Sequence, residues 1–257
     1  MMKTPLPVPE PVLLDVVDST NTYAREHFDQ LPDGTMVAAR CQTAGRGRRG
    51  RAWISPAGRN IYATFLFKHL ADGFHSGCLV GVGALACLRE AAPGTDAFLK
   101  WPNDLYVRDR KLAGLLCESA RIEAGRITGA VAGIGINVNL SEEELCRIDQ
   151  PATSLLAEEK RKFNLENLIK RLAETVFRYY ITYLNSADAL LAEWRGANRL
   201  IGRRISVTDS CGGTHDGIFR AISADGSMIF EENGQVKYFT CGDVKINRES
   251  VDWNHLT

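Results

Sequence analysis

Between Gly45 and Arg51 the chain reads GRGRRGR, four arginines and three glycines in seven residues. Such a run cannot enter a core, because an unpaired guanidinium gives up its hydration there. It cannot be a free tail either. Met36 to Cys41 before it and Asn60 to Lys68 after it are rich in β-branched, aromatic and small apolar residues, the texture of strands. The fold must therefore carry residues 42 to 58 as a charged, bendable loop between two strands, and long loops of that kind are functional candidates. Glycines let main-chain N–H groups approach an anion closely, and guanidinium forks hold carboxylate or phosphate oxygens two at a time. Lys plus Arg is 31 and Asp plus Glu is 31, so the positive charge is a local feature on a neutral chain. A small polyanion fits such a loop.

Other readings of the glycines fail on context. Gly45, Gly47 and Gly50 satisfy the GxGxxG spelling of dinucleotide-binding folds, but Trp53-Ile54-Ser55-Pro56-Ala57-Gly58 stands where the required helix would start. Gly81-Val-Gly83-Ala-Leu-Ala86 lies within an apolar helical run, where small residues allow close packing. No GxxxxGK[ST] stretch occurs, which excludes a P-loop nucleotidase. A nucleic-acid-binding module built on the arginine loop stays open as an alternative of a different class, although RNA-binding arginine–glycine segments are normally repeated.

Hydrophobic residues at 45% and charged ones at 24% describe a soluble globular chain. No run approaches the roughly 18 apolar residues of a membrane span, and three prolines fall within Met1 to Glu10 where a signal peptide needs an apolar stretch. A cytoplasmic protein with no membrane partner is expected. Seven cysteines without a CxxC pair and five histidines without HExxH spacing point to free thiols and no structural zinc.

The element pattern predicts an α+β fold, a mixed β-sheet packed by helices. Strands are expected at residues 12 to 17, 36 to 41, 60 to 68, 97 to 101, 111 to 122 and 127 to 138. The predicted helices run from the Asp18 to Thr22 caps to about Phe28, from His75 to Ala91, and from Leu165 to Trp194. After Asn198 the texture changes to five short strands between glycine turns, read as a small β-barrel. The division is therefore 1–198 and 199–257.

Three further clusters carry chemistry. Lys100-Trp-Pro-Asn-Asp104 ends a strand in a proline-fixed turn bearing an amide and a carboxylate, with Lys111 seven residues on. Gly133-Ile-Gly-Ile-Asn137 places glycines where a backbone could pass close to a planar ligand, or where a β-bulge falls. Ser19-Thr20-Asn21 reads as a helix cap. Taken in order, Asp18-Ser-Thr-Asn21, Gln42-Thr-Ala-Gly-Arg-Gly-Arg-Arg-Gly-Arg51 with Trp53, Lys100 to Asp104, Arg110-Lys-Leu-Ala-Gly114 and Gly133 to Asn137 resemble the biotin–protein ligases over about residues 12 to 200.

The resemblance implies a class II synthetase-like ligase unit of the biotin/lipoate type, with an SH3-like C-terminal unit. It implies ATP and biotin as substrates with Mg²⁺, biotinyl-5'-AMP as intermediate, and a biotin carboxyl carrier protein as acceptor. By the same likeness Arg46, Arg48, Lys111 and Asp104 are catalytic. Ser19, Thr20, Asn21, Gln42, Gly45, Arg46, Arg48, Trp53, Lys111 and Gly114 would hold biotin. Arg48, Arg49, Arg51, Trp53, Asn103, Asp104, Lys111 and Asn137 would hold ATP, with Asp104 also on Mg²⁺ and Arg248 a further nucleotide candidate. Residues 45 to 58 are expected to close over the adenylate. About a dozen residues precede the first strand, too few for a helix-turn-helix, so a monofunctional ligase without DNA binding is expected, with a homodimer open. Lipoate–protein ligase is the nearest alternative.

Overall fold

The computed structural model describes residues 7–70, 73–123 and 125–245. Its larger sheet is built from β1 (Val12–Val17), β2 (Met36–Gln42), β3 (Ile61–Phe67), β4 (Ala97–Lys100), β5 (Asp104–Val107), β6 (Arg110–Glu123) and β7 (Arg126–Ile136). The spatial order is β1-β2-β3-β7-β6-β5-β4, with β1 parallel to β2 and every other neighbour antiparallel. The strand β5 was not anticipated; it opens on Asp104, the last residue of the motif read as a turn. The Trp101–Pro102 peptide between β4 and β5 is cis.

Two helical layers cover this sheet. On one face α1 (Thr20–Glu26) buries Ala24, with Phe28 beyond it, against Val37, Leu66 and Val131. On the other, α2 (Gly73–Ala91) lies under α5 (Leu165–Asn185) and α6 (Ala187–Gly196). The small residues of α2 do serve packing: a Cβ on Gly83 would meet Val176 of α5 at 2.8 Å. The helical run expected from Leu165 to Trp194 breaks at Ser186, whose extended backbone ends α5 and starts α6. Two short helices, α3 (Glu142–Leu145) and α4 (Leu155–Glu159), were not foreseen; Ser141 and Ser154 cap them through their hydroxyls.

The C-terminal strands are β8 (Arg204–Thr208), β9 (Thr214–Ile222), β10 (Met228–Glu232), β11 (Gln235–Phe239) and β12 (Asp243–Lys245). They form an antiparallel sheet of order β11-β10-β9-β8-β12. The expected barrel is therefore not closed, since β11 and β12 are the edges of the sheet. Its inner face does not fold around itself alone. Ile205, Val207, Phe219, Met228 and Phe230 belong to one hydrophobic cluster with Leu99, Trp101 and the α2 residues Leu79 to Leu88. Trp101, 1% exposed, donates its indole N–H to the Gly226 carbonyl at 2.9 Å, which ties the β4–β5 turn to the second sheet. Replacing Trp101 by Phe leaves that buried carbonyl without its donor. A loss of about 1–3 kcal/mol in urea unfolding is expected, with one transition retained.

Candidate functional site

Strand periodicity builds the site. Along β7, Ala130, Ala132, Ile134 and Ile136 face the core, while Gly129, Val131, Gly133 and Gly135 face the side of the sheet that α1 covers. Gly114 of β6 pairs directly with Gly135. These glycines leave a floor without side chains, and a cleft of about 710 Å³ opens above it. Trp53 of the arginine loop lies on this floor. A Cβ at position 135 would run into the Trp53 ring, and one at position 114 would approach it to 3.1 Å. A planar ligand was expected beside these glycines; what the structure places there is the indole of Trp53.

Ser19, Thr20, Asn21 and Gln42 line one end of the cleft. Gln42 Oε1 accepts from the Thr20 N–H at 2.9 Å, and Gln42 Nε2 donates to Ser55 Oγ at 3.1 Å. Behind them Thr64, fully buried, lies 2.8 Å from Thr20 Oγ1 and 2.7 Å from Asn21 Oδ1. Ser19 occupies the N-cap position of α1, but its side chain makes no capping bond. This end is neutral and rich in hydroxyl and amide groups.

The middle of the cleft is cationic. The Arg48 guanidinium donates to Asn103 Oδ1 at 2.7 Å, and Asn103 is held in turn by the Leu115 carbonyl. Lys111 Nζ lies 2.8 Å from Asp104 Oδ1 and 5.6 Å from the Trp53 ring centre. Lys100, 6% exposed, also lines the cleft, its ammonium 4.4 Å from the Tyr106 ring centre. Burial pushes the Lys100 ammonium down to about 8; Asp104 opposes the shift, while Lys111 and Arg48 add to it. Burial, then Asp104, pushes the Tyr106 hydroxyl upward. The sequence named Lys100 within its motif without assigning it a role.

The four arginines divide among three places, Arg48 being the one at the centre of the cleft. Arg46 pairs with Glu118 at 3.1 Å, which sets it beside Asn21 rather than beside the Asp104–Lys111 pair. Arg49 and Arg51 both reach Asp243 of β12, at 3.2 and 3.0 Å. Arg49 sits at φ 55° inside a short 3-10 turn, Arg48–Gly50, and this turn separates its direction from that of Arg48. The loop is folded onto the body, with further bonds from the Gly47 N–H to the Arg51 carbonyl and from the Trp53 N–H to the Gly45 carbonyl.

Three expected contacts, Arg49, Asn137 and Gly45, do not line the cleft, and one falls outside the described residues. Asn137 is 4% exposed and is not among the cleft residues; its Nδ2 donates to the Thr153 carbonyl, and Thr153 N–H donates to the Lys111 carbonyl. It braces the strand behind Lys111. Gly45 lines no part of the cleft but lets Trp53 come close, since a Cβ there would sit 2.6 Å from the Trp53 carbonyl oxygen. Arg248 is in the undescribed residues. Conversely, Arg147, Asp149, Gln150 and Pro151 line the cleft, as do Gly242, Asp243 and Val244. Neither stretch carries a local pattern that marks it; the first is brought in by the Lys111 N–H donating to the Pro151 carbonyl at 3.0 Å. Among the described residues no cluster of His, Cys, Asp and Glu is arranged to hold a metal, and no helix is long and apolar enough to cross a membrane.

Residues 13–137 match the model of the biotin/lipoate A/B protein ligase family. The bifunctional ligase/repressor BirA of Escherichia coli is 31% identical over 246 residues, covering 91% of this chain and 73% of that protein. The biotin–[acetyl-CoA-carboxylase] ligase of Mycobacterium tuberculosis is 32% identical over 242 residues, covering 90% and 88%. Among solved structures, the biotin protein ligase of Aquifex aeolicus in complex with biotin and ATP superposes with a TM-score of 0.77 at 24% identity, over 93% of this chain and 98% of that one.

Two tests follow from this geometry. Gly135→Ala displaces the Trp53 ring and is expected to lower ligand affinity in the cleft at least tenfold, read by titration calorimetry. Lys100 tests the electrostatics. The unfolded chain keeps the Lys100 proton to about pH 10, whereas the folded chain keeps it only to about 8. Between those values the unfolded state binds more protons, so this group's contribution to stability rises with pH. Lys100→Met should therefore stabilise the fold at pH 7 by roughly 2–3 kcal/mol, and the gain should shrink above pH 8, as measured by urea unfolding at both pH values.

Proposed function

Because the chain belongs to the biotin/lipoate A/B protein ligase family, we propose that it activates the biotin carboxylate with ATP and passes the acyl group to a lysine of a carrier protein. It is an enzyme of the biotin–[acetyl-CoA-carboxylase] ligase type. One observation carries the substrate reading: a single cleft joins a neutral, hydrogen-bonding end to a cationic centre. A molecule with a cyclic urea at one end and a carboxylate at the other matches both. Lipoate does not, because its dithiolane ring offers no hydrogen bonds and would strand the polar groups around Thr20. A nucleic-acid surface finds less support still. All four loop arginines turn onto groups of the protein itself: Glu118, Asn103 and, for two of them, Asp243.

In the first step a biotin carboxylate oxygen attacks the α-phosphorus of ATP, the bond to pyrophosphate breaks, and biotinyl-AMP forms. Two unit charges 4 Å apart repel by about 4 kcal/mol at an effective dielectric constant near 20. Cations fixed beforehand remove that barrier without reorganising. Arg48 and Lys111 fill this role, Lys111 standing between the carboxylate and the α-phosphate. Arg49 and Arg51 exchange Asp243 for phosphate oxygens, and Trp53 supplies the aromatic wall shared by biotin and the nucleotide. Mg²⁺ would come with the nucleotide and neutralise its phosphates. Of the residues present, Asp104 would hold it, through a carboxylate already shared with Lys111.

In the second step the neutral amine of a lysine on a biotin carboxyl carrier protein attacks the acyl carbon. AMP leaves with the bonding electrons, and the amine proton passes to Asp104. Water would compete for the adenylate, so the arginine loop closes over it.

The first step is tested by exchange of labelled pyrophosphate into ATP. Wild-type exchange requires biotin, and Lys111→Ala and Arg48→Ala each lower kcat/KM by about 100-fold or more. Exchange that depends on lipoate and not on biotin overturns the substrate.

A further inference from the structure

We propose that Lys100 is a further catalytic residue, one that holds the pyrophosphate leaving group of ATP rather than the carboxylate that attacks it. The inference rests on the adenylation step described above and fills a place in it that Arg48 and Lys111 leave open.

The cations lining the cleft are Arg46, Arg48, Arg51, Lys100, Lys111 and Arg147. All but one have an acceptor within the protein. Arg46 is paired with Glu118, Arg48 with Asn103, Arg51 with Asp243, Lys111 with Asp104 and Arg147 with Glu143. Among the described residues the Lys100 ammonium has no hydrogen-bond or ion-pair partner; its contact is the Tyr106 ring, 4.4 Å away at the ring centre. Yet Lys100 is the most buried of the six, at 6% exposed. An ammonium carries three donors, and taking it out of water is unfavourable unless acceptors meet them. An aromatic face attracts the charge but supplies no lone pair. The fold would be more stable with an apolar side chain here, as the gain expected of Lys100→Met states, so this cation contributes to something other than folding.

Its place tells which part of the nucleotide it meets. Lys100 stands directly across the β4–β5 pair from Asp104, and its charged neighbours are Asp104, Lys111, Asp243 and Arg48. Asp104 and Lys111 mark the seat of the α-phosphate. Asp243 marks the place where Arg49 and Arg51 collect the outer phosphates. A group within reach of both lies beside the link from the α- to the β-phosphate. When the carboxylate oxygen bonds to the α-phosphorus, that link breaks and its electron pair stays on the pyrophosphate oxygen. Lys100 hydrogen-bonds the growing charge and keeps its proton. A fixed donor aimed at charge that develops only in the transition state raises kcat rather than affinity.

Lys100→Met separates this role from a structural one, because the variant is expected to fold with added stability. Biotin-dependent exchange of pyrophosphate into ATP should fall about 100-fold. Transfer of biotin from synthetic biotinyl-AMP to a carrier protein should stay within about twofold, since no pyrophosphate leaves in that step. ATP analogues with CH₂ or CF₂ in place of the β,γ-bridging oxygen, a poorer and a better leaving group, supply the specific signature. The rates of biotinyl-AMP formation from these two should lie severalfold further apart in Lys100→Met than in wild type. Undiminished exchange, an equal loss in transfer from biotinyl-AMP, or the same spread between the analogues overturns the role of Lys100. Wild-type protein without biotin-dependent exchange overturns the adenylation reading itself, whereas normal wild-type exchange beside an unaffected variant overturns this inference alone.

Discussion

Like charges are held together here before any ligand arrives. Arg48, Lys100 and Lys111 gather in one cleft with Asn103 and Asp104, and among the described residues the carboxylate in direct contact with Lys111 is that of Asp104. One of those cations is so deeply buried that it gives up its proton near pH 8. A folded protein tolerates such crowding only where the surrounding frame is rigid, since every side chain would relax apart if it could. The rest of the molecule supplies that rigidity. Asn103 is bonded on both sides, the Lys111 backbone is clamped to the segment at Pro151 and Thr153, and Trp101 anchors the turn to the second sheet.

The other requirement is empty space beside that charge. Period-two alternation in β7 gives it: alanine and isoleucine toward the core, glycine toward the cleft. Had those glycines carried side chains, neither Trp53 nor Asn21 could lie where it does. The same strand thus builds the apolar interior on one face and a binding floor on the other. Sheet and site cannot be designed separately.

Much of this was legible in the sequence because it is local. The arginine loop, its flanking strands, the buried helix α2 and the antiparallel C-terminal strands all declare themselves by composition and period. What was missed is non-local. Nothing in Arg147 to Pro151 or in Gly242 to Val244 marks them as cleft residues; distant backbone pairings bring them there. For Asn137 the motif gives position but not facing: it lies just past the last β7 residue, and its amide is bonded to the Thr153 carbonyl. Arg46 was assigned by resemblance alone, while its partner Glu118 lies 72 positions away.

The continuity of the hydrophobic cluster through both sheets has an evolutionary consequence. Residues 199 onward look, in sequence, like a module that could be lost or exchanged. Yet Ile205, Val207 and Phe219 complete the same interior as Leu99 and Trp101. A shortened descendant would inherit an open wound of aromatic surface beside its reactive turn. The two units are therefore bound to drift together, each substitution on one side of the seam constraining what its counterpart across the seam can become.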